Sequence, residues 1–412
     1  MNICIEDRKV LRKLALLVKE AAGLPIQLER RRLWKCSNNL KPERAMVAAN
    51  PQNGWPELVP ESTLVCKDPF LRYIEMDLRR TVFRCGHIHD DVPVQNFINV
   101  PLIIQKGDYG LENKIISSGQ KGGAYHIDPS IKTYDDLKKL HPASIEIDRD
   151  ETSRRFNVLQ EILGDILEVR VQGVDFCRCG LTRVLIHLRG LDQIMYDMYD
   201  NPELLHELMA FLRDEQIREF EFYEKEKVLE LNNTPYSWTG SGGICYTDEL
   251  LPDDLTKTID MKDMTVWGES QETVGVGPEQ FNEFVLQYQL PILNRFGLVD
   301  YGCCEGLDKK FDLLIKNISR LRWVAVSPWC NRQIAAEKLG NKYIYVYKPI
   351  PTSITSQIPD FEFAEKQLRD TLKIAKDCVV HIVMKDTSTF WNQPWRIEQW
   401  TDMAQRVATE MA

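Results

Sequence analysis

Apolar and polar positions alternate in two regimes along this chain. Residues 9–22 place Leu, Val and Ala at helical spacing and stop at Gly23, a helix-terminating signal. Residues 38–66 are rich in Pro and Asn and predict irregular structure, and residues 69–82 predict a second helix. Residues 93–147 mix short apolar runs with Gly-rich turns such as 119–123, as in a substrate-covering insertion or a loop-rich first barrel unit. From about residue 150 the pattern turns regular. A helix at 151–165 precedes an apolar strand at 166–172, helical periodicity covers 182–198, and Asn201-Pro202 opens a long helix reaching Leu231. Predicted strands at 264–267, 298–303, 323–327, 343–347 and 378–384 then alternate with helices at 278–296, 308–318, 332–339, 360–376 and 395–411.

Repeated strand-then-helix units without hairpin signals imply parallel strands joined by crossover helices. Their number favours a (β/α)8 TIM barrel of residues 91–412, with residues 1–90 as a helical, loop-rich extension packed on it. Bulk properties narrow the class. The 412 residues carry 43% hydrophobic positions and a net charge of -9, which argues against nucleic acid as a partner. No run of about 18 apolar residues occurs, so no membrane-spanning helix is expected. The N-terminus lacks the basic start and apolar core of a signal peptide, which makes a cytoplasmic location the expectation. In a reducing compartment the eleven cysteines read as core thiols with a few ligands or reactive groups among them.

Barrel chemistry gathers at the C-terminal ends of strands. Those ends offer Trp267-Gly268-Glu269, then Cys303-Cys304-Glu305, then Ser327-Pro328-Trp329-Cys330, then Lys348, and finally Lys385-Asp386 beyond His381. Thiolate, imidazole and carboxylate ligands suit zinc. Regular strand alternation would place Cys303 and Glu305 on one face, with Cys304 joining only if the strand kinks. Cys303, Cys304, Glu305 and His381 are therefore the candidate metal ligands, with Cys330 as an alternative, and Cys303 and Glu305 the candidate catalytic pair. The opposing reading is buried thiols, a glutamate at a helix start and a core histidine. Cys177-Arg178-Cys179 lacks zinc-ribbon spacing and reads as loop packing. His87-Ile88-His89-Asp90 resembles the paired histidines of metal-dependent hydrolases. Gly240-Ser241-Gly242-Gly243 lacks the Lys-Ser/Thr of a phosphate loop. With Tyr236, Trp238 and Tyr246 around it, it reads as a mobile loop over the substrate, and Tyr236, Trp238, Trp267 and Trp329 as walls for an aromatic ligand.

Three motifs in order, Asn201-Pro202-Glu203-Leu204-Leu205-His206, Gly277-Pro278-Glu279-Gln280-Phe281 and Gly302-Cys303-Cys304-Glu305, resemble the uroporphyrinogen decarboxylase superfamily over residues 150–412. Leu40-Lys41-Pro42-Glu43-Arg44 is a weaker echo. The resemblance implies a (β/α)8 barrel. It also implies either a decarboxylase or a cobalamin-dependent methyltransferase. The Met-Arg-Gln-Ala-Gly-Arg type signature of the decarboxylases is missing, which favours the methyltransferase branch. That branch holds zinc on a His-x-Cys pair and a further Cys; here Cys303-Cys304-Glu305-Gly306 stands in the first position and His381 lies on the last strand. No Asp-x-His-x-x-Gly corrinoid signature is present, so cobalamin would arrive on a separate corrinoid protein. The expected reaction is transfer of a methyl group from a small methylated donor, a methoxylated aromatic by resemblance to anaerobic O-demethylation, with zinc activating the departing oxygen.

Overall fold

The computed structural model describes residues 4–111, 114–119, 125–251 and 258–412. Residues 120–123 of the Gly-rich turn read at 119–123 lie outside them. In chain order the strands are β1 (Met46–Ala49), β2 (Phe97–Pro101), β3 (Ile103–Lys106), β4 (Lys114–Ser117), β5 (Tyr125–Asp128), β6 (Ile145–Asp148), β7 (Glu168–Gln172), β8 (Cys177–Cys179), β9 (Thr265–Gly268), β10 (Leu298–Tyr301), β11 (Leu321–Val326), β12 (Ile344–Tyr347) and β13 (Val379–Met384). Seven form one parallel sheet in the order β1-β13-β12-β11-β10-β9-β8. Helices Phe311–Asn317, Arg332–Leu339 and Phe361–Ile374 separate β10 from β11, β11 from β12 and β12 from β13. The result is a mixed α/β fold. Among the described residues the ladder runs from an edge at β1 to an edge at β8, and β2 pairs with β7 in a separate parallel two-stranded sheet. The antiparallel pairs β3–β6 and β4–β5 complete the strands. No described helix is long and apolar enough to cross a membrane.

β10 to β13 read as near-continuous apolar runs because both faces are covered. Val299, Tyr301, Val324, Val326, Tyr345, Tyr347, Ile382 and Met384 belong to the large core cluster. Leu298, Trp323, Ile344, Val346, Val379 and Val383 build a second cluster on the opposite face. Each such side chain, fully buried, stabilises the fold by about 1.5–3 kcal/mol. The helix Ile26–Asn38 closes this second face. Its Trp34 indole donates to the Asp91 carbonyl at 2.8 Å, and its Asn38 amide donates to the Ile244 carbonyl and accepts from the Trp323 indole.

Several local expectations shift. β1 sits inside the Pro/Asn-rich stretch taken as irregular; two of its four buried residues are alanines, which carry little strand signal. Through its pairing with β13 it carries the first 90 residues into the main sheet. Cys177-Arg178-Cys179, read as loop packing, is strand β8, its two thiols buried and its arginine on the other face. The helix expected over 182–198 is two helices, Leu181–Arg189 and Leu191–Asp200, broken at Gly190. The long helix ends at Lys225 rather than 231.

Candidate functional site

The strand expected to run through Cys303 stops at Tyr301, because Gly302 takes φ +98 and turns the chain. A Cβ at Gly302 would meet Leu307 Cδ1 at 2.8 Å and Ala325 Cβ at 3.1 Å, so glycine serves both the left-handed backbone and the close packing. This turn overturns the alternation argument. Cys303 and Cys304 do not point to opposite faces; their sulfurs lie 3.4 Å apart. Cys304 Sγ also reaches Asp386 Oδ2 at 3.3 Å.

Two buried lysines flank the thiols. Lys348, just beyond β12, donates from Nζ to the Cys303 carbonyl at 2.6 Å, and Lys385, just beyond β13, donates to the Gly240 carbonyl at 3.2 Å. The hydrogen bond from the Cys304 thiol, with the positive charges of Lys348 and Lys385, holds the Cys303 thiol below its usual range and pushes Cys304 up. Burial and the Lys348 charge lower the Lys385 ammonium in turn. Cys303 is thus the thiolate of the pair.

Beneath the lysines lies a buried hairpin. Trp238 and Ile244 pair across it, Thr239 N–H bonds the Gly243 carbonyl, and Cys245 N–H bonds that of Ser237. The segment expected to be a mobile cover is therefore a plug inside the fold, with Ser241, Gly242 and Gly243 all buried. Gly240 lies flat on the Trp267 ring, where a Cβ would come within 1.9 Å of Cγ. At the tip, Ser241 donates to Asp300 twice, from N–H at 2.6 Å and from the hydroxyl at 2.5 Å. Burial pushes the Asp300 carboxyl up to about 6, against the pull of Ser241 and Lys348. Asp300 and Ser241 were not among the expected residues. An acid inside the apolar run Leu298-Val299-Asp300-Tyr301 was the available signal, since a buried carboxylate requires partners.

The other expected residues scatter. Glu305 is buried beside the thiols, but its carboxylate oxygens accept the backbone N–H groups of Ser270 at 3.1 Å and Cys303 at 2.8 Å. His381 pairs in register with Val346, two residues before Lys348, and so lies deeper in the sheet than the lysines. Its Nε2 meets the Ser37 hydroxyl at 3.0 Å, Trp34 packs edge-on at 4.9 Å, and burial lowers its pKa to about 3. Cys330 is separate, bonded to Asp308 at 3.5 Å and raised to about 12 by burial. Among the described residues, no group of three or more His, Cys, Asp and Glu is placed to hold a metal ion. The set Cys303, Cys304, Glu305 and His381 does not fit zinc here: only its two thiols converge.

Trp267 belongs to the mouth, with its indole donating to the Gly302 carbonyl at 2.9 Å and the Arg178 guanidinium 4.7 Å from its centroid. Trp329 is 81% exposed on the loop after β11. Trp238 packs in the hairpin near Arg84, and Tyr236 lies at the hairpin base against Phe97. His87 and His89 bond separate carboxylates of the last helix, Glu398 at 3.3 Å and Asp402 at 2.6 Å, as exposed surface pairs. They share no ligand position, and the hydrolase alternative loses its geometric basis.

No family model matches the chain, and no curated protein matches it. Among solved structures, a methyltransferase from Methanosarcina mazei is similar at a TM-score of 0.46 and 10% identity, covering 91% of this chain and 97% of that one. A likeness that distant says nothing about activity.

Proposed function

We propose that this chain is a methyltransferase on a (β/α)8-type scaffold. It takes a methyl group from a small methylated donor, a methoxylated aromatic in the expected case, for delivery to the cobalt of a separate corrinoid protein. The order of the three motifs supports the class. The observation that carries the site is the Cys303–Cys304 pair flanked by Lys348 and Lys385 at the C-terminal ends of parallel strands, where such folds keep their chemistry.

Breaking a methyl–oxygen bond leaves the electron pair on oxygen, and that oxygen needs a positive charge and then a proton. Zinc was the expected source of stabilisation, but the proposed ligand set is not assembled, and the lysines offer the same electrostatic service. The Cys303 thiolate lies beside two buried lysines, and its charge favours the ammonium form of Lys385. Lys348, held on the Cys303 carbonyl, stabilises the departing oxygen. Lys385, made more acidic by burial and by its neighbour, gives it a proton. The reduced corrinoid supplies the nucleophile that accepts the methyl carbon. Trp267 forms one wall of the donor pocket.

The test is a reaction of the purified chain with a reduced corrinoid protein and a panel of methoxyarenes, followed by the absorbance of methylcobalamin. Formation with wild type and loss in Lys385→Met is the expected result. No methylcobalamin with any donor overturns the proposal.

A further inference from the structure

The β2–β7 pair has two contrasting faces. Ile98, Val100 and Val169 pack beneath the helices Ile5–Ala22, Pro69–His87 and Arg149–Leu163. The opposite face carries Asn99 and Arg170 and forms one wall of a cleft of about 300 Å³. The base of the buried hairpin, at Tyr236, forms another wall, with Arg31 from the closing helix and with Asp175 and Glu230.

Asp175 accepts from the Gln172 amide at 2.9 Å and Glu230 from the Gly173 N–H, but two other polar atoms of the cleft are left over. Arg31 stands over the Tyr236 ring at 5.2 Å, pairs with no carboxylate among the described residues, and has a buried Nε without an acceptor. Asn99 Oδ1 is buried without a donor. Arg170 is already taken by Glu168 at 2.6 Å. Glu230 and Asp175 face the same space, and burial together with the Asp175 charge pushes the Glu230 carboxyl up, against the pull of the Gly173 N–H and the Arg170 guanidinium. The cleft therefore leaves Arg31 without an anionic acceptor and Asn99 Oδ1 without a donor, beside two carboxylates whose charges oppose each other. A lone carboxylate would leave the two acids repelling each other, and a lone ammonium would leave Arg31 unmet. One molecule carrying both charges satisfies both ends.

We infer that the cleft between β2–β7 and the hairpin base is a small-molecule site for a zwitterion of the amino-acid class. Its volume stands at the lower end of the roughly 300–1,000 Å³ typical of ligand pockets, which suits a compact ligand. The site is separate from the thiol mouth and stands whether or not the chain transfers methyl groups. It also touches the hairpin whose tip is bonded to Asp300, so a ligand here holds the plug at its base.

Titration calorimetry on the full chain tests this, with the standard L-amino acids as a panel and propionate and ethylamine as the separated charges. At least one amino acid is expected to bind saturably, and each separated charge at least about tenfold more weakly. Arg31→Gln and Asp175→Asn should each cost about tenfold or more, Arg31→Lys should retain part of the affinity, and Cys303→Ala should leave it unchanged. Circular-dichroism melting identifies any variant that has failed to fold. The proposal is overturned if no amino acid binds, if propionate or ethylamine binds as well as the amino acid, if binding survives both charge-removing variants, or if Cys303→Ala abolishes it.

Discussion

Lys348 Nζ donates to the carbonyl of Cys303 at 2.6 Å, tying the end of β12 to the turn beyond β10 across the intervening β11. Two strand ends are thereby tied across a third, and a buried positive charge is set beside the reactive thiol. Lys348→Met should remove that charge, raise the Cys303 pKa from about 6 by about one unit, and slow alkylation by iodoacetamide about tenfold at pH 5 but only about twofold at pH 7. The pH profile of alkylation in wild type and variant checks this, and superimposable profiles contradict it.

Asp300 makes stability depend on pH. Its folded pKa of about 6 lies above the ordinary 3.8, so between these values the folded chain binds more protons than the unfolded one. Its contribution is then greatest at low pH and is lost as pH rises through the window, a change of about 3 kcal/mol. Asp300→Asn should remove that falling component. Urea unfolding of both proteins from pH 4 to 7 gives the difference, and parallel curves rule the coupling out.

Gly302→Ala puts a Cβ against Leu307 and Ala325 and asks alanine for φ +98. The left-handed backbone and the overpacking together should destabilise the fold by about 2–4 kcal/mol. The turn should open, and the sulfurs should part. A lower urea midpoint with weaker capture by phenylarsine oxide, which requires two adjacent thiols, is the expected outcome. Undiminished capture would show that the turn does not join them.

Glu305 and His381 are both engaged elsewhere, through backbone N–H groups and the Ser37 hydroxyl. Zinc affinity of the reduced protein, measured by competition with a chromogenic chelator, should therefore be unchanged in Glu305→Gln and His381→Ala, provided both variants fold. A loss of about tenfold or more in either would restore the four-ligand set expected from the residues alone.

Much of the scaffold was legible because parallel strands covered on both faces must be apolar throughout. β10 through β13 announced themselves in this way, and Gly302-Cys303-Cys304-Glu305 stood out at a strand end. β1 was hidden by its two alanines, poor strand formers, inside a Pro/Asn-rich stretch, and β8 by its brevity between turns. The hairpin misled because glycines flanked by aromatics look the same in a mobile cover and in a plug packed against an indole ring.

Residue order alone determined the strand–helix alternation, the strand-end address of the cysteines and the absence of a basic surface field, since these depend on local periodicity and summed charge. Only the tertiary structure decided which side chains share a site. One glycine with a positive φ reverses the pairing that strand alternation implies, and register places His381 below the lysines. Apart from the neighbouring Cys304, the partners that set the protonation of Cys303 and Asp300, namely Lys348, Lys385 and Ser241, come from roughly 45 to 82 residues away in the chain. Such distances in space follow from packing, which no local pattern encodes.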